Sequence, residues 1–492
     1  MQALILAGFS HWQVGQSCDC GAAAATFRCV ECFNAPMWCH TCVVTQHRFI
    51  PFHRIERWDG QKFVQDALKD DRVLYLHLGQ DRQGRSVQRC PHIPPGPAQL
   101  RELTICDSNG FHTRFVEFCC CTRTDGGHWE QLLSARLFPA TIHQPQTAFT
   151  FGVMKQFQVH SLSSKKSAYD YVKALCQLTS HTEPEAIANR YREFLLACRI
   201  WRALALQRRT GQAHGFDAYV PNRRARSLVL RCPACPEVGF NMTSAQMEAA
   251  EENEKHKFTL FISTDGNFKL QRKNKRDDPD DIALNGGHGY FIPAEDYKQY
   301  FKDIKPSSDA GTCSHLKAAR MQNIAKFKNA VITGVVAVQC ARHGFYLPQA
   351  IVDLLKGEGF AFTDAALRSG LGMEAKHLRW IRLAYDIWCQ YQVNLLERIK
   401  DHWPEMLPIF NKIDGAIGKM HILNHQERCI FAFNLNFLFH VGLTTGELIE
   451  TGWAEHNLTA GSTREMNDGH RHDVIDGTCD HWNWQKTVRL GA

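Results

Sequence analysis

Cysteine and histidine carry the densest chemistry in this sequence. Cys18-x-Cys20, Cys29-x2-Cys32, Cys39-x2-Cys42, His47 and His53 follow one another within thirty-six residues. A two-residue spacing lets one turn present two sulfurs to one ion, and four tetrahedral S/N ligands are what zinc takes. Eight ligands suit two ions, with a cross-brace interleaving as one arrangement. Spacing alone leaves open which residues share an ion. A stretch this short cannot bury much core, so bound metal would supply its folding energy.

Two further groups are looser. Cys106, His112, Cys119, Cys120, Cys121 and His128 could hold one zinc. It would use Cys106 or His112, one or two of the adjacent cysteines such as Cys119 and Cys121, and His128. Neighbouring side chains diverge on a strand, so the three adjacent cysteines cannot all face one ion. Small core cysteines beside a structural histidine fit equally well. Cys232-Pro-Ala-Cys235 is a knuckle that needs partners from elsewhere, either Cys313 with His315 or Cys340 with His343. His343 is favoured as a structural zinc ligand. No thioredoxin-like context surrounds the knuckle, so zinc is expected over redox work.

Carboxylates form the second constellation. Asp265 follows a β-branched apolar run, His256 to Ile262, and precedes Gly266-Asn267. Asp386 ends a similar run, Trp380 to Tyr385. Glu447 and Glu450 lie in TTGELIETGWAEHN, which reads as helical from Thr445 onward. Acids from neighbouring strand ends and one helix can converge, and they repel unless divalent cations sit between them. Mg²⁺ takes oxygen ligands. Two such ions about 3.5–4 Å apart can activate an attacking oxygen and stabilise a leaving one on a phosphodiester. Spacing by itself is weak support, because an aspartate at a strand end is more commonly a turn residue.

Elements must position these groups. A chain of 492 residues exceeds one compact core and suggests about three domains. Apolar residues make up 44% and charged residues 22%, the balance of an ordinary globular protein, and a net charge of +7 is compatible with nucleic acid. Met1 to Gly8 lacks the basic flank of a targeting segment. The greasy stretch 430–443 is too short and too polar to cross a membrane, so no membrane partner is expected. Without a secretory signal the 20 cysteines are expected reduced. The segments expected are 1–60 and 61–155 around the first two clusters, 156–230 as a helical linker, and 231–492. Helical patterns run Tyr169 to Leu206, Asn394 to Trp403 and His425 to Phe439, with a helical insertion at about 392–440. A further buried strand is expected over Ala330 to Val338. Strands mixed with helices imply an α/β layer, and the whole reads as a multidomain α+β or α/β chain. Arg208, Arg209, Arg223, Arg224 and Arg226 lack matching acids and are candidate DNA-backbone contacts. Lys269 to Arg276 follow Asp265, but DDPDD (277–281) offsets them.

The local wording is more specific than the spacing. STDGNFKLQRK (263–273), GVVAVQCARHGFYLPQAIVDLLKGE (334–358), YDIWCQY (385–391), TTGELIETGWAEHN (444–457), STREMNDGHRHDVID (462–476) and HWNW (481–484) resemble the Kyakuja-Dileera-Zisupton transposases of eukaryotic DNA transposons. FCCC (118–121), QLLSARLFPAT (131–141) and TAFTF (147–151) resemble the cysteine-cluster zinc domain fused to those transposases, particularly in fungi. The resemblance implies an RNase H-like mixed-sheet core with a DDE-type active site. It implies Mg²⁺- or Mn²⁺-dependent cleavage and strand transfer, with transposon ends and target DNA as partners, a homo-oligomer and a nuclear location. By position the first acid is Asp265, the second Asp386 and the third Glu447, with Glu450 its competitor. The sequence departs from the family at Thr445, Thr451 and Asn467-Asp468, and it is shorter than family transposases. Two other readings stand beside catalysis: a domesticated, inactive zinc-dependent DNA- or protein-binding regulator, and a RING- or B-box-like module at 18–53.

Overall fold

The computed structural model describes residues 1–2, 14–68, 73–76, 100–119, 127–220, 222–276, 278–302, 329–355 and 359–490. The chain divides into two compact units, Met1–Cys198 and Arg199–Ala492. That boundary falls inside the segment expected as a helical linker. Both units mix helices with sheets.

The first unit begins with a three-stranded antiparallel sheet, β1 (Phe27–Cys29), β2 (Ile55–Trp58) and β3 (Phe63–Asp66), beside helix α1 (His40–Gln46). Its buried apolar cluster is small: Phe27, Val43, Ile55 and Leu68. A second, five-stranded sheet has the order β4-β6-β5-β8-β7. Its strands are β4 (Leu74–Tyr75), β5 (Leu100–Asp107), β6 (Gly110–Glu117), β7 (Leu137–Pro139) and β8 (Thr147–Thr150). Gly110 closes the β5–β6 hairpin at φ +123°, where a Cβ would run into Arg54 and Thr179. Leu103, Ile105, Val116, Leu132 and Ala148 fill the core of this sheet, with Leu132 coming from α2 (His128–Ser134). Three helices follow: α3 (Phe151–Ser163), α4 (Ala168–Thr179) and α5 (Tyr191–Arg209).

The second unit is built on the sheet β13-β12-β9-β14-β15. The strands are β9 (Thr259–Asn267), β12 (Gly334–Cys340), β13 (Tyr346–Leu354), β14 (Trp380–Ala384) and β15 (Ile413–Ala416). A two-stranded ribbon of β10 (Arg272–Lys273) and β11 (Ala330–Ile332) stands apart. β9, β12 and β13 run antiparallel, while β14 is parallel to both β9 and β15. Every residue of β12 is buried, as expected for a strand covered on both faces. On one face α6 (Phe360–Leu371) joins Val336, Val352, Ile381 and Leu383 in the main core. On the other, α7 (Leu448–His456) and α8 (Asp468–Arg489) contribute Ile449, Trp453, Ile475 and Cys479 against Val335, Ala337 and Ile351.

Two elements differ from the sequence reading. β15 lies inside the expected helical insertion, between its two expected helices. Its four residues, Ile-Asp-Gly-Ala, carry no alternating pattern, and the ladder with β14 specifies them. The expected helix His425 to Phe439 shrinks to Glu427–Phe433, after which Asn434 bridges to Ile417.

Candidate functional site

The first eight ligands sort into two sets. Cys18, Cys20, Cys39 and Cys42 gather, and so do Cys29, Cys32, His47 and His53, each set with its ligand atoms within 4.8 Å of one another. Pairs one and three share a site, as do pairs two and four, so the module is cross-braced. Zinc with bonds near 2.3 Å has tetrahedron edges of about 3.7 Å. Cys20 Sγ lies 3.7 Å from Cys39 Sγ. Cys32 Sγ is 3.3 Å from both His47 Nε2 and His53 Nδ1. The buried His47 directs its other nitrogen, Nδ1, at the Val43 carbonyl at 2.8 Å, which fixes the ring as an outer partner of a metal ligand does. Hydrogen bonds from the Cys20 and Cys39 backbones pull the Cys18 thiol down to about 6, whereas those with Cys20, Cys39 and Cys18 push Cys42 up to about 12. The Cys18 thiolate forms readily and Cys42 resists, a frustration that a dication removes.

The knuckle Cys232–Cys235 meets Cys340 and His343. Cys235 Sγ is 3.2 Å from Cys340 Sγ, and Cys232 Sγ is 3.3 Å from His343 Nδ1. Cys340 ends β12 and His343 lies in the turn to β13, so the site pins the chain entering the second unit to its central sheet. Cys313 and His315 lie outside the described residues.

The second cluster does not assemble among the described residues. Ile105 pairs with His112 and Cys106 with Phe111, so Cys106 and His112 occupy opposite faces of the hairpin. Cys106 is buried, and burial pushes its thiol well up. His112 Nε2 bonds Asn109 Oδ1 at 2.7 Å. The Cys119 backbone pairs with the Gln131 amide, and His128 stacks on Phe118 at 4.1 Å. Among the described residues, Cys106, His112, Cys119 and His128 are not gathered as a metal group. Cys120 and Cys121 lie outside the described residues.

The acids converge. Ser263 pairs with Ala384 in the parallel β9–β14 ladder. Asp386 lies in the turn two residues beyond Ala384, and Asp265 shares the Ser263 face of β9. That face is the one covered by α7, whose Trp453 donates its indole N–H to Asp265 Oδ2 at 2.9 Å. Glu447 caps α7. Its Oε1 accepts the Met420 N–H at 3.0 Å, and its Oε2 lies 3.4 Å from His421 Nε2. Gly446 (φ +78°) and Gly418 let this turn close on the sheet, since a Cβ at Gly418 would overlap Glu447 Oε1. Glu450 is more exposed and stands 3.8 Å from the same His421 nitrogen. Burial pushes the Asp386 carboxyl up to about 6, and Glu450 and Glu447 add to it, against His421 and the Ile387 N–H. Crowded carboxylates of this kind suit cations.

Residues 258–483 match the family model of the Kyakuja-Dileera-Zisupton transposase. That span is similar to the transposase domain of this family. Residues 74–183 match the CxC2-like cysteine cluster associated with KDZ transposases, and the two matches together support this family for the chain. Residues 258–483 contain all four acids, Cys340 and His343. The Cys18–His53 module lies outside both matches. Searches of the curated proteins and of the solved structures returned no match.

The candidate phosphate contacts are largely engaged within the fold. Arg209 pairs with Asp480, and Arg223 holds Glu237 at 2.7 Å. Arg224 binds Gln349 and the Ser369 carbonyl. Arg208 and Arg226 are exposed. Sequence reasoning missed His421 beside Glu447, and it missed a group formed by Cys389, His425 and Cys429. The His-x3-Cys spacing of one helical turn was the available signal.

Proposed function

We propose that this protein is a DDE-type DNA transposase with an RNase H-like core, using Asp265, Asp386 and Glu447 as its acidic triad. The observation that carries the reading is that one oxygen of each acid is held by an N–H donor. Trp453 holds Asp265, the Ile387 amide holds Asp386 at 2.8 Å, and the Met420 amide holds Glu447. The acids are thereby oriented by three separate elements toward one end of the sheet. Glu450, more exposed and in the first turn of α7, is the weaker candidate. A sheet of three antiparallel strands extended by two parallel ones, with acids on the first and fourth, supports the RNase H-like assignment.

Mg²⁺ or Mn²⁺ held by these carboxylates would activate the attacking oxygen and stabilise the leaving one. The protein's own work is to fix the acids and to close the turn at Gly446 over the strand ends. In the first step a water oxygen bonds to phosphorus while the P–O3′ bond breaks, and the departing 3′ oxygen takes a proton. In the second step that 3′-hydroxyl oxygen bonds to a target phosphorus while the target's own P–O3′ bond breaks and the departing oxygen takes a proton, so no covalent protein–DNA intermediate is required. Purified protein with labelled transposon ends should nick DNA in Mg²⁺ or Mn²⁺. Asp265→Ala and Asp386→Ala should each abolish nicking, and Glu447→Gln should cost far more than Glu450→Gln. Absence of cleavage in both cations would sink the enzymatic reading.

The second reading, an inactive zinc-dependent binding regulator, is favoured by one observation. The Cys/His sites share no residue with the acids, so metal-stabilised binding modules would persist without catalysis. DNA retention by Asp265→Ala at wild-type affinity, with no cleavage by either protein, is its signature.

A further inference from the structure

Cys389, His425 and Cys429 form a group of their own in the second unit. Cys389 Sγ stands 3.5 Å from His425 Nδ1. His425 and Cys429 are buried, with 6% and 4% of their surfaces exposed. His425 sits in extended backbone just before the cap of the helix Glu427–Phe433, and Cys429 lies in that helix's first turn. Cys389 lies in the single helical turn Trp388–Tyr391, three residues beyond Asp386. The His425 ring also hydrogen-bonds the Asp386 backbone, the kind of outer contact that orients a metal-ligating histidine. Two thiols and an imidazole from two separate segments are a soft S₂N set, with one coordination position left for water.

We propose that Cys389, His425 and Cys429 bind a zinc ion that clamps the segment after Asp386 to the segment carrying Met420 and His421. Residues 418–425 run directly into this site, and within them the Met420 amide and the His421 ring touch Glu447. The ion would therefore fix the distance between the loop of Asp386 and the support of Glu447. It would touch neither carboxylate. The metal assignment stands independently of catalysis, and only its positioning consequence rests on the transposase reading.

The test is metal content of the full chain. Wild type purified with zinc should hold four equivalents: two in the cross-braced module, one at Cys232–His343 and one here. Cys389→Ser and Cys429→Ser should each lose one equivalent and keep three. Cys429→His, which restores a ligand, should keep four. The cadmium-loaded wild type should show four ¹¹³Cd resonances, two of them with two-sulfur character, one from Cys29–His53 and one from this site. That spectrum decides the matter even where a serine variant fails to fold. Three equivalents in wild type, an unchanged count in Cys429→Ser, or a Cys389–Cys429 disulfide found by thiol counting after denaturation would overturn the site. With cleavage established, Cys429→Ser should raise the Mn²⁺ needed for half-maximal rate about tenfold or more while Cys429→His restores it. An inactive wild type would defeat the transposase reading and leave the metal count as it stands.

Discussion

Single side chains in the second unit are held by buried charge. Arg471 is fully buried and places Nη1 2.6 Å from Asp353 Oδ1 on β13, while Nη2 reaches the Leu270 carbonyl at 2.8 Å. Burial alone would raise the Asp353 carboxyl, but Arg471 and His472 hold it well below the usual range. Removing one partner strands the other, so Arg471→Met should cost about 3–5 kcal/mol in denaturant unfolding. Asp476 is the opposite case. Burial pushes its carboxyl up to about 6, although Asn285 and the Tyr290 N–H bond to it. A folded pKa above the unfolded one favours the protonated form, so its contribution is full below about pH 4 and lost as pH rises to about 6. Asn285 Oδ1 has no partner, so a rotated Asn285 amide can accept from an asparagine at 476. Asp476→Asn should therefore be neutral or stabilising at pH 7. The difference in unfolding free energy between pH 4.5 and pH 7 should shrink by about 1–3 kcal/mol relative to wild type. An unchanged difference would refute the assignment.

At the scale of elements, the first sheet and helix α1 depend on metal. The cluster of Phe27, Val43, Ile55 and Leu68 is too small to offset the entropy of ordering some fifty residues. Chelation should release hydrogen-exchange protection across β1–β3, and zinc should restore it. The sheet β4–β8 has its own core and should keep its protection. Helix α3 starts from Thr150, whose hydroxyl accepts the Val153 N–H at 3.1 Å. Thr150→Ala should lower stability by about 1 kcal/mol, read as a shift in melting temperature. Helix α7 combines two duties, because Glu447 is its N-cap and its second turn carries Trp453, the donor to Asp265. Trp453→Phe keeps the packing and removes that donor. It should lower strand cleavage more than it lowers the melting temperature.

For the whole molecule, the Cys/His groups are spread over both units, whereas the acids lie in one. The cross-braced module lies in the first unit, and the acids lie in the second with the Cys232–His343 site. Local signals located most of them. Paired cysteines mark metal because two-residue spacing suffices to present two sulfurs, whatever the rest of the fold does. Asp265, Asp386 and Glu447 stood out through their surrounding motifs, since a lone acid at a strand end carries little information. The arginines between 208 and 226 show the limit of composition. Their acids, Glu237 and Asp480, lie far enough along the chain that no local window pairs them.

What the sequence determined by itself is the set of groups and their local spacing: the knuckles, the acids, the strand runs that carry them and the family wording around them. The tertiary structure decided which distant groups meet. It interleaved the first eight ligands, chose Cys340 and His343 for the knuckle, and put Cys106 and His112 on opposite faces of one hairpin. It also tied Glu447 rather than Glu450 to a backbone donor, and it brought Cys389 to His425 and Cys429. The physical reason is common to all of these. Spacing within one turn or strand is fixed by backbone geometry, whereas contacts across tens or hundreds of residues are fixed by strand register and by what the two faces of the sheet bury.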